Sequence, residues 1–195
     1  MNKTKKLVEI SMLSATAVIL MLFEFPLPFI APSFYEIDLS EIPVLIGAFA
    51  IGPVAGIIIE AIKILLNLLI NGSITGGVGE FGNFIVGVLY ILPAGLIYKK
   101  IKTKSGALIG LIAGSVIMVI ASCFVNAYIL IPTYGKALGI PIQAFIDMGK
   151  AIHGNIDSLW KLVLLCVAPF NGIKVAVTSV IVMFIYKPLK PILKI

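Results

Sequence analysis

The chain lacks the residues that most enzyme and metal sites need. Among its 195 residues there is no arginine, one histidine and two cysteines, and 12% are charged. Cys123 and Cys166 lie in apolar stretches without a neighbouring histidine or a second nearby cysteine, so two buried thiols are the expectation. No P-loop, zinc-ligand spacing or Ser-His-Asp set is present. We therefore expect no metal, no cofactor and no enzymatic activity.

Apolar residues are abundant instead. They make up 60% of the sequence, and the mean hydropathy is +1.14. A water-soluble body of this size cannot bury so much apolar surface, so the bilayer must be its solvent. Since no repeat or linker interrupts the pattern, residues 1–195 are predicted to form one all-α integral membrane domain.

Membrane-length apolar segments set the predicted helices. They cover about residues 7–24, 41–52, 54–71, 80–98, 105–130 and 159–187. The pattern alone leaves open whether 41–71 is one kinked helix or two helices that meet at Gly52-Pro53. The first segment runs on into Glu24-Phe25-Pro26 without a small-residue cleavage site, which indicates a retained helix and not a signal peptide.

Lysine placement decides between the two alternatives. Ten of the 15 lysines fall in three clusters: Lys3, Lys5, Lys6, Lys99, Lys100, Lys102, Lys104, Lys187, Lys190 and Lys194. The positive-inside rule puts all three clusters in the cytoplasm. This requires two helices in 41–71 and predicts a six-transmembrane-helix bundle with both termini cytoplasmic. Residues 25–40, 72–79 and 131–158 would be outer loops, the last made of ordered turns with a short amphipathic helix near 142–152.

Two patterns have a less interesting explanation. Residues 77–82, Gly-Val-Gly-Glu-Phe-Gly, match the letters of a dinucleotide fingerprint, but no strand or βαβ unit surrounds them. The lysine clusters set orientation in the membrane and form no basic stripe for nucleic acid.

Polar side chains within the predicted helices mark the candidate site, because a charge at membrane depth costs roughly 2.5–3.5 kcal/mol unless it is paired. Glu60 and Lys63 can pair at i, i+3. Asn126, Asn171 and Lys174 lie in the outer halves of their helices, and Lys174 has no carboxylate one turn away. Its partner must come from another helix, with Glu60 and Glu80 as candidates, or from a ligand.

The surroundings of these polar residues suggest what they bind. Amides, one cation and nearby aromatics fit a planar heterocycle with several acceptors. Pro169 is expected to break the last helix and to free backbone groups for that ligand.

Small residues at four-residue spacing predict close helix packing. Gly106, Gly110 and Gly114 are expected to pack within the molecule. Ser11 and Ala15 on the first helix have the same spacing, and they serve either internal packing or the docking of a partner.

Several blocks together resemble the substrate-binding S components of energy-coupling factor vitamin transporters, in particular the riboflavin-specific members. The specific blocks are 38–43, Asp-Leu-Ser-Glu-Ile-Pro, and 169–174, Pro-Phe-Asn-Gly-Ile-Lys; 79–84, Gly-Glu-Phe-Gly-Asn-Phe, adds to them. The resemblance spans the chain from the first predicted helix to the sixth.

The resemblance implies a riboflavin-binding specificity subunit of an ATP-driven importer in the bacterial plasma membrane. Its partners would be a membrane-embedded coupling (T) protein, which contacts Ser11 and Ala15, and a pair of cytoplasmic ABC-type ATPases. The implied substrate-binding residues are Ala31, Phe34, Tyr35, Glu80, Asn83, Asn126, Asn171 and Lys174. Another vitamin, a flavin phosphate or a small secondary transporter are the alternatives, although no internal repeat supports the last.

Overall fold

The computed structural model describes residues 3–73 and 75–192, and this part of the chain is mostly helical. The helices are α1 Lys3–Met21, α2 Glu41–Ala50, α3 Pro53–Asn71, α4 Val78–Lys100, α5 Lys104–Val125, α6 Ile131–Leu138, α7 Ile142–Ile152, α8 Leu159–Leu162 and α9 Ala168–Ile192. Two π-helical segments, Asn126–Leu130 and Val163–Val167, join α5 to α6 and α8 to α9. Each of the six predicted segments is therefore helical. The predicted basic residue Lys194 lies outside the described residues.

In the part of the chain that the structure describes, four helices are long and apolar enough to cross a membrane: Pro53–Asn71, Val78–Lys100, Lys104–Leu138 and Leu159–Tyr186. The apolar helix Glu41–Ala50 is shorter. A polypeptide with several such helices is a multi-pass membrane protein, as its composition predicted.

The connection between α2 and α3 is the tight turn that lysine placement required. The helices are separate elements, and Gly52 between them has φ +132°, a conformation that a side chain would strain. Pro53 then occupies the first turn of α3, where its missing N–H costs nothing.

The predicted long loop at 131–158 is mostly helical, which corrects the expectation of ordered turns. Without a break, α5 continues through the π-helical segment into α6, so the predicted helix 105–130 reaches Leu138. Gly139, in the left-handed conformation, ends it. The short helix expected near 142–152 is present as α7.

Close approach of α4 and α5 depends on the predicted glycine row. A methyl group at Gly110 would lie 2.7 Å from the carbonyl oxygen of Ala94, and one at Gly114 would lie 2.5 Å from that of Tyr90. Side chains larger than hydrogen cannot fit there, so this row serves internal packing, as predicted.

Two apolar clusters hold the bundle together. The first lies among α1 to α5 and α9 and includes Leu45, Ile91 and Leu111. The second joins residues 22–40, called loop 22–40 from here on, to α7 and the second π-helical segment. Cys123 and Cys166 are free thiols buried in this second cluster, which confirms the prediction for them.

Loop 22–40 is closed by a short antiparallel ribbon. Strand β1, Phe25–Pro26, pairs with β2, Glu36–Ile37. The ribbon brings the start and the end of the loop together just before α2. As a result Asp38, directly after β2, is carried into the bundle, where it is 2% exposed.

Candidate ligand-binding site

A cavity of about 330 Å³ opens where loop 22–40 meets the ends of α3, α4, α5 and α9. It borders both apolar clusters, since Met118 belongs to the first and Phe170 to the second. Its lining includes Glu24, Phe34, Tyr35, Glu36, Asp38, Glu41, Asn67, Thr75, Glu80, Asn83, Asn126, Tyr134, Asn171 and Lys174. This volume is at the lower end of the range for small-molecule sites.

Two of the three predicted asparagines, Asn126 and Asn171, lie in matching local structures. Asn126 begins the first π-helical segment, and Asn171 follows the second by one turn. Each side-chain amide nitrogen donates to the carbonyl four residues earlier, Asn126 to Ser122 at 2.8 Å and Asn171 to Val167 at 3.0 Å. This bond uses one amide donor and fixes the rotamer, so each carbonyl oxygen is held in one direction.

Pro169 does not break the last helix, contrary to the prediction from sequence. The chain stays helical from Leu159 to Ile192 and widens to a π-helix at Val163–Val167, immediately before the proline. Pro132 follows the other π-helical segment in the same way. Wider turns of this kind accommodate a residue that cannot donate, and they occur often at functional sites.

Tyr35 connects the loop to the fifth helix. Its phenol donates to Oδ1 of Asn126 at 2.7 Å, and its ring packs 5.6 Å from that of Phe170. Burial raises the pKa of Tyr35 well above its ordinary value, so the phenol stays a neutral donor. The contact covers one side of the cavity with an aromatic residue.

Lys174 finds its partner in the loop. Its ammonium lies 3.0 Å from Oδ2 of Asp38, whose Oδ1 accepts from the backbone N–H of Ser40 at 2.7 Å. Burial alone would raise the pKa of Asp38, but the positive charges of Lys174 and Lys63 outweigh it and lower the pKa to about 2. The partner of Lys174 is therefore neither Glu60 nor Glu80, the two partners expected from sequence, but Asp38, which is 136 residues away in the chain.

The predicted pair of Glu60 and Lys63 is present and has a third member. The Lys63 ammonium lies 2.7 Å from Glu60 and 2.8 Å from Glu41 of α2. Glu41 lines the cavity, whereas Glu60 and Lys63 lie behind it and are fully buried. The floor of the cavity therefore rests on a buried ionic cluster.

Seven of the eight predicted substrate-binding residues line the cavity: Phe34, Tyr35, Glu80, Asn83, Asn126, Asn171 and Lys174. The eighth, Ala31, is fully buried in the second apolar cluster and is not part of the lining. Ser11 and Ala15 are exposed on α1, away from the cavity.

Sequence reasoning missed several residues of the lining. Asp38 and Glu41 belong to the block quoted for the resemblance, and their type and position were a signal for a role in the site. Asn67 and Tyr134 also line the cavity. Tyr134 carried no such signal, because only the helical continuation of α5 through Leu138 brings it there.

The charges along the cavity are predominantly negative. Among the described lining residues, five carboxylates, those of Glu24, Glu36, Asp38, Glu41 and Glu80, outnumber the one ammonium, Lys174. Among the described residues, no group of three metal-binding side chains is found. Fixed amides, a phenol and aromatic faces around a small cavity suit an uncharged, planar, hydrogen-bonding ligand.

Comparisons with known proteins agree in one family. The profile of the family "ECF transporter, substrate-specific component" matches residues 5–186. Riboflavin transporter FmnP of Bacillus subtilis (strain 168) is 38% identical over 190 residues, which cover 97% of this chain and 94% of the relative. Riboflavin transporter RibU of Staphylococcus aureus (strain TCH60) is 35% identical over 194 residues, which cover 100% and 95%.

The fold agrees as well. A solved structure described as "Structure and mechanism of the S component of a bacterial ECF transporter" superposes with a TM-score of 0.76 at 34% identity and covers 100% of both chains. The family consists of the substrate-specific parts of transporters, which confirms the expectation of a transport component and not an enzyme. Profile, relatives and fold agree over nearly the whole chain, and the protein belongs to the energy-coupling factor transporters as a substrate-specific (S) component.

Proposed function

We propose that this chain is the riboflavin-binding S component of an ATP-driven vitamin importer and captures riboflavin at the outer face of the bacterial plasma membrane. The observation that carries the proposal is the cavity itself, with two oriented asparagines and an aromatic cover supplied by loop 22–40. Two relatives that align with this chain over nearly their full length are named riboflavin transporter.

The isoalloxazine ring of riboflavin is planar, and its edge carries carbonyl oxygens and ring nitrogens. We assign Asn126, Asn171 and Lys174 to this edge, because their polar groups line one cavity from two helices. Phe34 and Tyr35 lie against the ring from the loop, and Glu80 with Asn83 are available to the ribityl hydroxyls. A contact at Ala31 requires the loop to shift on binding, since that residue lies behind the lining.

A flavin phosphate fits the cavity less well. A phosphate would enter a space with five lining carboxylates and one lysine that already has a carboxylate partner. Arginine, the usual bidentate partner of phosphate, does not occur in the sequence. An unphosphorylated flavin avoids this repulsion. Another uncharged vitamin of similar shape would also avoid it and is the remaining alternative.

The orientation follows from the lysines. With six crossings, the α2–α3 and α4–α5 turns and both termini lie in the cytoplasm, and the cavity opens outward. Residues 1–195 act as one domain.

The partners in this proposal are a membrane-embedded coupling protein and a pair of cytoplasmic ATPases. Support comes from α1, whose face with Ser11 and Ala15 also exposes Leu7, Val8 and Met12. Small residues between exposed apolar ones allow another helix to approach closely.

Titration of the purified chain with riboflavin tests the proposal. We expect quenching of flavin fluorescence that saturates at one ligand per chain, with weaker binding of the flavin phosphate. A vitamin without the flavin ring serves as the matched competitor. The proposal fails if the protein does not quench riboflavin fluorescence while such a competitor stabilises the protein against heat.

A further inference from the structure

Five charged side chains are buried together at the inner side of the cavity, three of them in its lining and two behind it. Asp38, Glu41 and Glu60 are at most 3% exposed, Lys63 is fully buried and Lys174 is 8% exposed. Among the residues whose burial the structure describes, these are the buried charged side chains. Three carboxylates face two ammonium groups, so the cluster has one negative charge too many if all of them are ionised.

The excess falls on one part of the cluster. Asp38 has Lys174 to itself, together with the N–H of Ser40. Glu41 and Glu60 share the single ammonium of Lys63, at 2.8 and 2.7 Å. Two carboxylates within 3 Å of one ammonium lie close to each other, and like charges disfavour double ionisation.

Unpaired oxygens mark the same place. Among the described residues, Oε2 of Glu41 and both side-chain oxygens of Glu60 are buried without a hydrogen-bond partner, although Oε2 of Glu60 lies 2.7 Å from the Lys63 ammonium. A methyl group at Gly87 of α4 would lie 2.5 Å from Oε1 of Glu60 and 3.3 Å from Oε1 of Glu41. Both carboxylates therefore lie against the backbone of α4 at Gly87. Glycine has no side chain, so this position offers them no side-chain hydrogen-bond donor.

Among the described side chains, Lys63 is the one cation within ion-pair distance of Glu41 and Glu60. Lys174 of α9 is paired with Asp38 instead. From α4 the Tyr90 hydroxyl approaches, but it is bonded to Ser179 at 2.7 Å. Glu24 and Glu36 are exposed near the cavity mouth, and Glu80 is held by Ser73, so these add only negative charge.

We infer that the folded protein binds one proton on the carboxylate pair of Glu41 and Glu60, which makes the buried cluster electrically neutral. A buried carboxylate that lacks a partner becomes neutral by taking up a proton instead of remaining charged. Of the two residues, Glu60 is the one that holds the proton, because it is fully buried behind the cavity while Glu41 lines the cavity. The proton also turns an oxygen without a partner into a donor.

Infrared spectroscopy of the purified, ligand-free chain tests this inference. At about pH 8, exposed glutamates are ionised. With carbonyl-labelled glutamate, we expect one band of a protonated carboxylic acid that shifts with the label. The band should disappear in Glu60→Gln and also in Glu41→Gln, because either change leaves each remaining carboxylate with its own lysine.

Two control variants test whether the infrared band comes from a glutamate outside the cluster. Glu80→Gln alters a carboxylate of the cavity that is not in the cluster, and Glu9→Gln alters one on α1 that also has a buried oxygen without a partner. Both variants should retain the band. Absence of any such band in the unchanged protein, or its persistence in both Glu60→Gln and Glu41→Gln, would overturn the inference.

Heat stability gives a second test that does not depend on spectroscopy. Glutamine has the shape of a neutral glutamic acid, so Glu60→Gln should lower the unfolding midpoint by less than about 4 °C. Lys63→Met leaves two buried carboxylates without a cation and should lower it much further. Equal losses in the two variants would mean that Glu60 is ionised, against the inference.

Discussion

Lys174 of α9 and Asp38 of loop 22–40 form a buried salt bridge of 3.0 Å across 136 residues of sequence. The same ammonium lines the cavity. Lys174 therefore has two possible tasks, holding the loop to the bundle and binding the ligand, and a variant that removes only Lys174 affects both.

A double-mutant cycle separates these tasks. Lys174→Met leaves Asp38 buried without its cation and should cost about 3–5 kcal/mol of stability. Adding Asp38→Asn removes the orphaned charge and should restore most of that stability. If Lys174 donates to riboflavin, affinity stays low in the stable double variant, as a fluorescence titration would measure. Recovery of affinity together with stability would make Lys174 purely structural.

The asparagines should contribute to affinity individually. Asn126→Ala and Asn171→Ala each remove a partner from a buried polar group of the ligand, at a cost of about 1–3 kcal/mol or roughly 5- to 150-fold in Kd. Tyr35→Phe keeps the aromatic ring and removes only the hydroxyl that donates to Asn126, so it should have a smaller effect.

Asn155→Ala is the matched control for the asparagines, because Asn155 is exposed in a turn and is not part of the cavity lining. It should titrate like the unchanged protein. If Asn126→Ala binds riboflavin as tightly as this control, the assignment of Asn126 is wrong.

The exposed face of α1 should matter for transport and not for binding. Ser11→Trp or Ala15→Trp should abolish riboflavin uptake by cells, because the bulky ring blocks the close approach of the coupling protein. Riboflavin binding by the purified chain should stay within twofold of the unchanged protein, on the order of 0.4 kcal/mol. Val116→Trp, on an exposed part of α5, is the control of equal size. Equal loss of uptake and binding would indicate internal packing instead.

Cysteine labelling tests the orientation. In a background without Cys123 and Cys166, Lys102→Cys should react with an impermeant reagent only after the cells are opened. Ser73→Cys and Lys136→Cys should react in intact cells. Labelling of position 102 from outside would contradict six crossings, and with them an outward-facing cavity.

Acid should weaken the link between the loop and the bundle. Because the pKa of Asp38 is lowered to about 2 in the folded protein, its contribution to stability is present above the unfolded value of about 3.9 and disappears as pH falls through about 2. Acidification from about pH 5 to about pH 3 should therefore cost about 1 kcal/mol from this residue.

Thermal unfolding midpoints at the two pH values measure this loss, with Asp38→Asn/Lys174→Met as the reference that lacks the group. A decline of equal size in both proteins would show that Asp38 is not the titrating group. Between about pH 5 and about pH 8, Asp38 stays ionised and should cause no change in affinity.

Local sequence was enough for the helices and for part of the site. Membrane-length apolar runs, the glycine row of α5 and the pair of Glu60 and Lys63 depend on neighbours within one or two turns, and their spacing is visible in the sequence. Asn126 and Asn171 stood out for a similar reason, because a polar group within an apolar helix must find a partner. Their proximity to one cavity could be predicted only through the topology.

The tertiary structure decided everything that joins distant residues. Asp38 became the partner of Lys174 because the β1–β2 ribbon carries the end of loop 22–40 into the bundle, which no local pattern indicates. Glu41 joined Lys63 from another helix in the same way. Pro169 was predicted to break its helix, but the chain forms a π-helical turn before the proline and stays helical. Neighbouring helices bury that stretch, which favours continued backbone hydrogen bonding. The sequence determines which side chains each helix carries, and tertiary packing determines which of those side chains come into contact.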